Sequence, residues 1–120
     1  MSEANKNLVR RLMEEAWNGR NLDVIDELCS ASFTMVDPSA PHLAPGPGAA
    51  KAYIASMVAA FPDLQITIQD LFGEGDRVSL RWCAEGTHRG ELNGMAPTHR
   101  RVCVSGQAIY RMADGKIEED

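Results

Sequence analysis

LQITIQDLFGEGDRVSLRWCAEGTH, residues 64–88, decides how the chain folds, because here the apolar period drops from 3.6 to 2. In its second half Val78, Leu80, Trp82, Ala84 and His88 share one face, and Ser79, Arg81, Cys83, Glu85 and Thr87 share the other. Glu74, Gly75 and Asp76 form a turn between the two halves, so the stretch predicts an antiparallel hairpin. Downstream, RVCVSGQAIYRM (residues 101–112) predicts a third long strand. ADGK then supplies Asp114-Gly115, a strong hairpin signal, and IEED is a short final strand.

Upstream the pattern is helical. Val9, Leu12, Met13, Ala16 and Trp17 recur at helical spacing over residues 3–18, with Asn18-Gly19 as the exit. Asn21 is placed to cap a short second helix carrying Leu22, Ile25 and Leu28, and residues 32–36 then read as a strand. Residues 37–50 hold four of the six prolines and read as a loop. A third helix over residues 48–61, with Tyr53, Ile54, Met57 and Val58 on its apolar stripe, is ended by Pro62. Helices first and strands after predict one α+β domain over residues 1–120, with a strongly curved antiparallel sheet wrapped around three helices. Such a sheet encloses a cone in which a small apolar ligand can sit.

The totals narrow the partners. A chain of 120 residues buries enough surface to fold without a metal or disulfide staple. A net charge of −5 argues against nucleic acid and anionic membranes, and the N-terminus has no apolar signal region. A soluble cytoplasmic protein is expected. Three cysteines, Cys29, Cys83 and Cys103, fit neither a disulfide framework nor a zinc motif and read as buried free thiols. His88, His99 and Cys103 match no ligand spacing, so no metal is expected. Ser79 and Ser105 have no histidine placed for an elbow, and GELNG is not a phosphate loop.

WNGRNLDVIDELCSASF, AAFPDLQITIQDLFGEGDRVSLRW, GTHRGELNGMAPTHRRV and IYRMADGKIEE stand in an order and spacing that resembles the SnoaL-like polyketide cyclases (ester cyclases) of the nuclear-transport-factor-2-like superfamily. The resemblance runs from Trp17 to Glu119. It implies a cone-shaped barrel of three helices and a bent sheet, dimeric through the sheet's outer face, with an apolar pocket at one end. It also implies an intramolecular aldol ring closure on an aromatic polyketide ester without cofactor or metal, in which a carboxylate moves the protons. The family carries that Asp on the last strand, beyond the Asp-Gly-Lys-Ile hairpin and after a tryptophan. This sequence reaches Asp120 before such a segment. Either the chain is cut short, or Asp120 or Glu119 takes the role, or the chemistry differs. Val36 stands where relatives carry His before Asp-Pro, and His99 where they carry glycine.

Weighed singly, His88 and Asp120 are the catalytic candidates. Trp17, Met35, Asp37, Tyr53, Met57, Trp82 and Gln107 are the pocket candidates. Asp37 at the mouth is a base, or merely starts a turn before Pro38. Asp63 reads as a carboxylate that satisfies backbone donors after Pro62. His88 contacts a ligand or bonds structurally, His99 is solvated, and Arg81 and Arg111 lie outside. Gln107 and Tyr110 fall on opposite faces, and the family pattern turns Gln107 inward. A cofactor-independent cyclase or isomerase acting on a hydrophobic carbonyl compound is the leading reading, and a catalytically silent binding domain of the same fold competes with it. Epoxide-hydrolase chemistry needs an Asp-Arg-Asp set that the inward faces lack. A short last strand leaves its neighbour's edge open, which predicts a homodimer formed there, with strand exchange as one route.

Overall fold

The alternation of residues 64–88 becomes a long hairpin in the computed structural model, which describes residues 2–35, 46–92 and 94–119. Its arms are β2 (Gln65–Glu74) and β3 (Arg77–Thr87), paired from Gln65–Glu85 to Glu74–Arg77 with one irregularity between Ile68 and Asp70. β4 (Arg101–Ala113) runs antiparallel to β3 along its whole length, and β5 (Lys116–Glu119) turns back on β4. Asp114 and Gly115 both take positive φ, 52° and 77°, the sense that a two-residue hairpin needs.

The helices precede the sheet. α1 (Ser2–Arg11) continues without a break into a π-helical stretch, Leu12–Asn18, followed by α2 (Val24–Leu28), β1 (Cys29–Thr34) and α3 (Pro47–Ala60). Three local expectations change. Gly19 keeps a right-handed conformation, and the left-handed exit falls on Arg20 at φ 61°. Arg20 is held there because its guanidinium donates to the carbonyls of Trp17, Pro62 (3.1 Å) and Leu64 (2.8 Å). Asn21 does not cap α2 through its side chain. Asp23 precedes the helix without a capping bond, and Asn21 gives only its carbonyl to the Val24 N–H. β1 starts at Cys29, three residues early, because Cys29 becomes extended and pairs with Ile117.

The sheet order is β1-β5-β4-β3-β2, curved and unclosed. β1 adds to β5 in parallel, so the last strand is internal and β1 and β2 are the edges. β5 nevertheless covers only Arg111, Met112 and Ala113 of β4. Over residues 101–110 the side of β4 away from β3 has no strand partner among the described residues. The expected open edge therefore exists, on β4.

The concave face packs on the helices. Val78 and Leu80 from β3, Tyr110 and Met112 from β4 and Ile117 from β5 meet Val9, Leu12, Ala16, Ile25, Leu28 and Ile54 in one core. A smaller cluster of Ala60, Phe61, Leu64 and Ala84 closes the far end of α3. Asn18 ties helix to edge strand: its amide donates to the Ile66 carbonyl (2.8 Å) and accepts from the Ile66 N–H (2.7 Å), as a neighbouring strand would. Among the described residues no helix is long and apolar enough to cross a membrane.

Candidate functional site

Between the helices and the concave face lies a cavity of about 510 Å³, a volume in the range of small-molecule sites. The π-helical stretch and α3 bring Trp17, Tyr53 and Met57 to it; β1 and its exit bring Phe33 and Met35. Ile66, Trp82, Ala84, Val104 and Ala108 form the sheet wall. The rings of Trp17 and Tyr53 meet edge to face, centroids 6.2 Å apart at 83°, the arrangement their quadrupoles favour. Trp82 can lie across β4 only because its partner there is Gly106. A Cβ at Gly106 would sit 2.7 Å from the Trp82 ring. Val104 lines the cavity yet is 49% exposed, so the mouth lies along the unpaired edge of β4.

Of the residues expected in the pocket, Trp17, Met35, Tyr53, Met57 and Trp82 line the cavity. Gln107 touches it at the rim. Its register partner is Arg81, however, which places its exposed side chain on the outer face, while Tyr110 points in. Alternation fixes that choice against the family pattern. Asp37 and Asp120 lie outside the described residues. Phe61, Leu64 and Tyr110 were not expected in the lining; the bend after α3 that brings in the first two depends on Arg20 bonding across 42 and 44 residues, which no local pattern signals.

The polar loop after β3 is tied down. Arg89 and Gly90 donate their N–H groups to the Ala60 carbonyl (2.9 and 3.0 Å), satisfying the end of α3. Gly90 comes so close that a Cβ would fall 2.2 Å from the Ala59 oxygen. His88 and His99 continue the ladder through their backbones, and the His99 side chain is exposed. The His88 ring is 4% exposed. Its Nδ1 accepts from the Thr98 N–H (3.4 Å) and lies 3.0 Å from the Thr98 hydroxyl. Its Nε2 is buried and has no hydrogen-bond partner among the described residues. His88 is not among the lining residues; it stacks at 5.4 Å on Phe61, which is.

Acids are scarce at this site. Asp63 accepts from the Thr87 N–H (2.7 Å) and hydroxyl (2.9 Å), and these bonds, with Arg101 nearby, hold its carboxyl below the usual Asp range. Its role is to fasten the bend after α3 to the end of β3. Glu119 pairs with Arg111 at 3.9 Å and does not line the cavity. Among the described residues the one acidic residue that touches the cavity is Glu85, at its rim; its carboxylate turns to the outer face, where Arg101 holds Oε2 at 3.0 Å.

Cys29 is buried as expected, whereas Cys83 is half-buried and Cys103 exposed, against the expectation. Cys83 and Cys103 alternate with cavity-facing neighbours and so emerge on the outer face beside Glu85. Arg81 lies on that face too, paired with Asp70 at 2.5 Å.

A model of the SnoaL-like polyketide cyclase family matches residues 7–120. No curated protein matches the chain. Among solved structures, a candidate SnoaL-like polyketide cyclase from Jannaschia sp. CCS1 is similar at 26% identity and a TM-score of 0.90, over 99% of this chain and 83% of that one. AclR from Streptomyces galilaeus, a candidate hydroxylase, is similar at 28% identity and 0.84, over 99% and 86%. A hypothetical protein of ketosteroid-isomerase-like fold from Catenulispora acidiphila, in complex with trimethylamine, is similar at 20% identity and 0.77, over 93% and 80%; that likeness shows the fold alone.

Proposed function

Because the chain belongs to the SnoaL-like polyketide cyclase family, we propose that it closes or rearranges a ring in a hydrophobic carbonyl compound of the polyketide type, by proton transfer at carbon and without a cofactor. The observation that supports this reading is the apolar, aromatic-lined cavity of about 510 Å³, with Trp17, Tyr53 and Trp82 placed to lie against a flat substrate. In the reaction a base removes a proton next to one carbonyl, the enolate carbon attacks a second carbonyl, and the alkoxide so formed takes the proton back. Atoms are conserved in this sequence of steps.

Asp120 is the proposed acid and base, since Glu119 is paired with Arg111 and Glu85 with Arg101. His88 enters as a positioning residue, not a catalytic one: it backs Phe61 and anchors Thr98. The protein is proposed to work as a cytoplasmic homodimer, with the open β4 edge over residues 101–110 as the place of association or strand exchange.

A second reading is favoured by one observation, that the one acidic residue touching the cavity among the described residues, Glu85, turns its carboxylate to the outer face and to an arginine. On it, the domain binds the same compounds without turning them over. Incubation with a linear aromatic polyketide ester, followed chromatographically, separates the two. The enzymatic reading predicts a product of unchanged mass, and a fall in kcat of about 10²–10⁴ in Asp120→Asn with binding kept. Binding without product supports the silent domain, and product formation unaffected by Asp120→Asn removes Asp120 from the mechanism.

A further inference from the structure

We propose that Cys83, Glu85 and Cys103 form a binding site for a thiophilic divalent cation, of which zinc is the type, on the outer face of the sheet. Cys83 and Glu85 are two apart on β3 and share a face, and Cys103 stands directly opposite Glu85 on β4. One ligand atom from each lies within 4.8 Å of the others. The two Sγ atoms are 3.6 Å apart, and Cys103 Sγ is 4.0 Å from Glu85 Oε1.

These separations suit an ion better than a bond. Two thiolates at about 2.3 Å from a tetrahedral zinc are about 3.8 Å from each other, close to the spacing observed. A disulfide requires about 2.05 Å, well below the 3.6 Å observed. Glu85 is already oriented: Arg101 takes its Oε2 at 3.0 Å and also reaches Asp63, leaving Oε1 toward the thiols. Cys83 is half-buried and Cys103 exposed, which leaves room for water as the fourth ligand. On binding, each thiol releases its proton to solvent. Two thiolates, one carboxylate and the dication leave one net negative charge, and the Arg101 guanidinium beside Glu85 offsets it.

The ligands alternate with cavity residues along both strands: Trp82, Ala84, Val102 and Val104 face inward between them. An ion here would cross-link the two strands that carry the cavity wall, at the end of β4 where β5 gives no support.

The test is calorimetric titration of the reduced, chelator-treated protein with zinc chloride, with cobalt(II) absorption as a second readout. Expected are one ion per chain, thiolate-to-cobalt charge transfer with the visible bands of a tetrahedral ion, and affinity weakened more than about tenfold in Cys83→Ser and in Cys103→Ser. Glu85→Gln should weaken it by a smaller factor. Failure to saturate, or unchanged affinity in the double serine variant, overturns the proposal. So does air oxidation of the pair to a disulfide that zinc does not slow. If the serine variants fail to fold, the cobalt spectrum of the unaltered protein decides, and absence of the sulfur band overturns it.

Discussion

Gly106 and Trp82 show how much of the site depends on single side chains. With no Cβ at position 106 the indole lies down across β4 and becomes cavity wall. Gly106→Ala is expected to displace the ring, costing about 1–3 kcal/mol in stability and weakening ligand binding, which chemical denaturation and ligand titration would read. Asp63 makes a different prediction. Its folded pKa lies below the ordinary value, chiefly through the Thr87 N–H, so its contribution is complete above the unfolded value near about 3.9 and is lost as pH falls through the lowered one. Melting temperatures measured from pH 6 to pH 2 should fall less steeply in Asp63→Asn than in the unaltered protein; parallel acid limbs would contradict this role. The motif Phe-Pro-Asp was legible as structural because Pro62 ends a helix there. The buried position of His88 behind Phe61 was not, since alternation gives a face and not the depth of packing.

At the scale of elements, the strands were legible and their lateral order was not. Alternation and the Glu-Gly-Asp and Asp-Gly turns specify β2 to β5 nearly residue by residue, because half-buried strands must alternate. Nothing local says that β1 joins β5 in parallel, or that the Asn18 side chain pairs with Ile66 across 48 residues. The convergence of Cys83, Glu85 and Cys103 was hidden for the same reason: register across strands, not spacing along the chain, brings them together. β5 is anchored by one fully buried side chain, Ile117, at the junction of β1, β4 and the core. Ile117→Ala is expected to cost about 2–5 kcal/mol in equilibrium unfolding. A loss well below 1 kcal/mol would mean that β5 contributes little to the fold.

In the whole molecule, the cavity lies between the helices and the concave face of the sheet, and the aromatic residues that line it come from five elements, Trp17 from the π-helical stretch, Phe33 from β1, Tyr53 from α3, Trp82 from β3 and Tyr110 from β4, with Phe61 from the bend after α3. That a ligand cone exists followed from helices preceding a meander; its volume and its mouth along β4 followed only from packing. The open β4 edge and the exposed outer-face side chains of Phe72 and Ile109, which flank Ser79, support association of two copies. Size-exclusion chromatography with light scattering should give twice the chain mass at micromolar concentration, and a monomer at every concentration would contradict it. The central claim is that the cavity takes a flat hydrophobic carbonyl compound, and the most direct measurement is calorimetric titration with a polycyclic aromatic ester. Saturation at one ligand per chain, with the loss of at least about tenfold in affinity when Met57→Trp fills the cavity, is the result predicted. No heat of binding up to the ligand's solubility limit, or equal affinity in the filled variant, would contradict it.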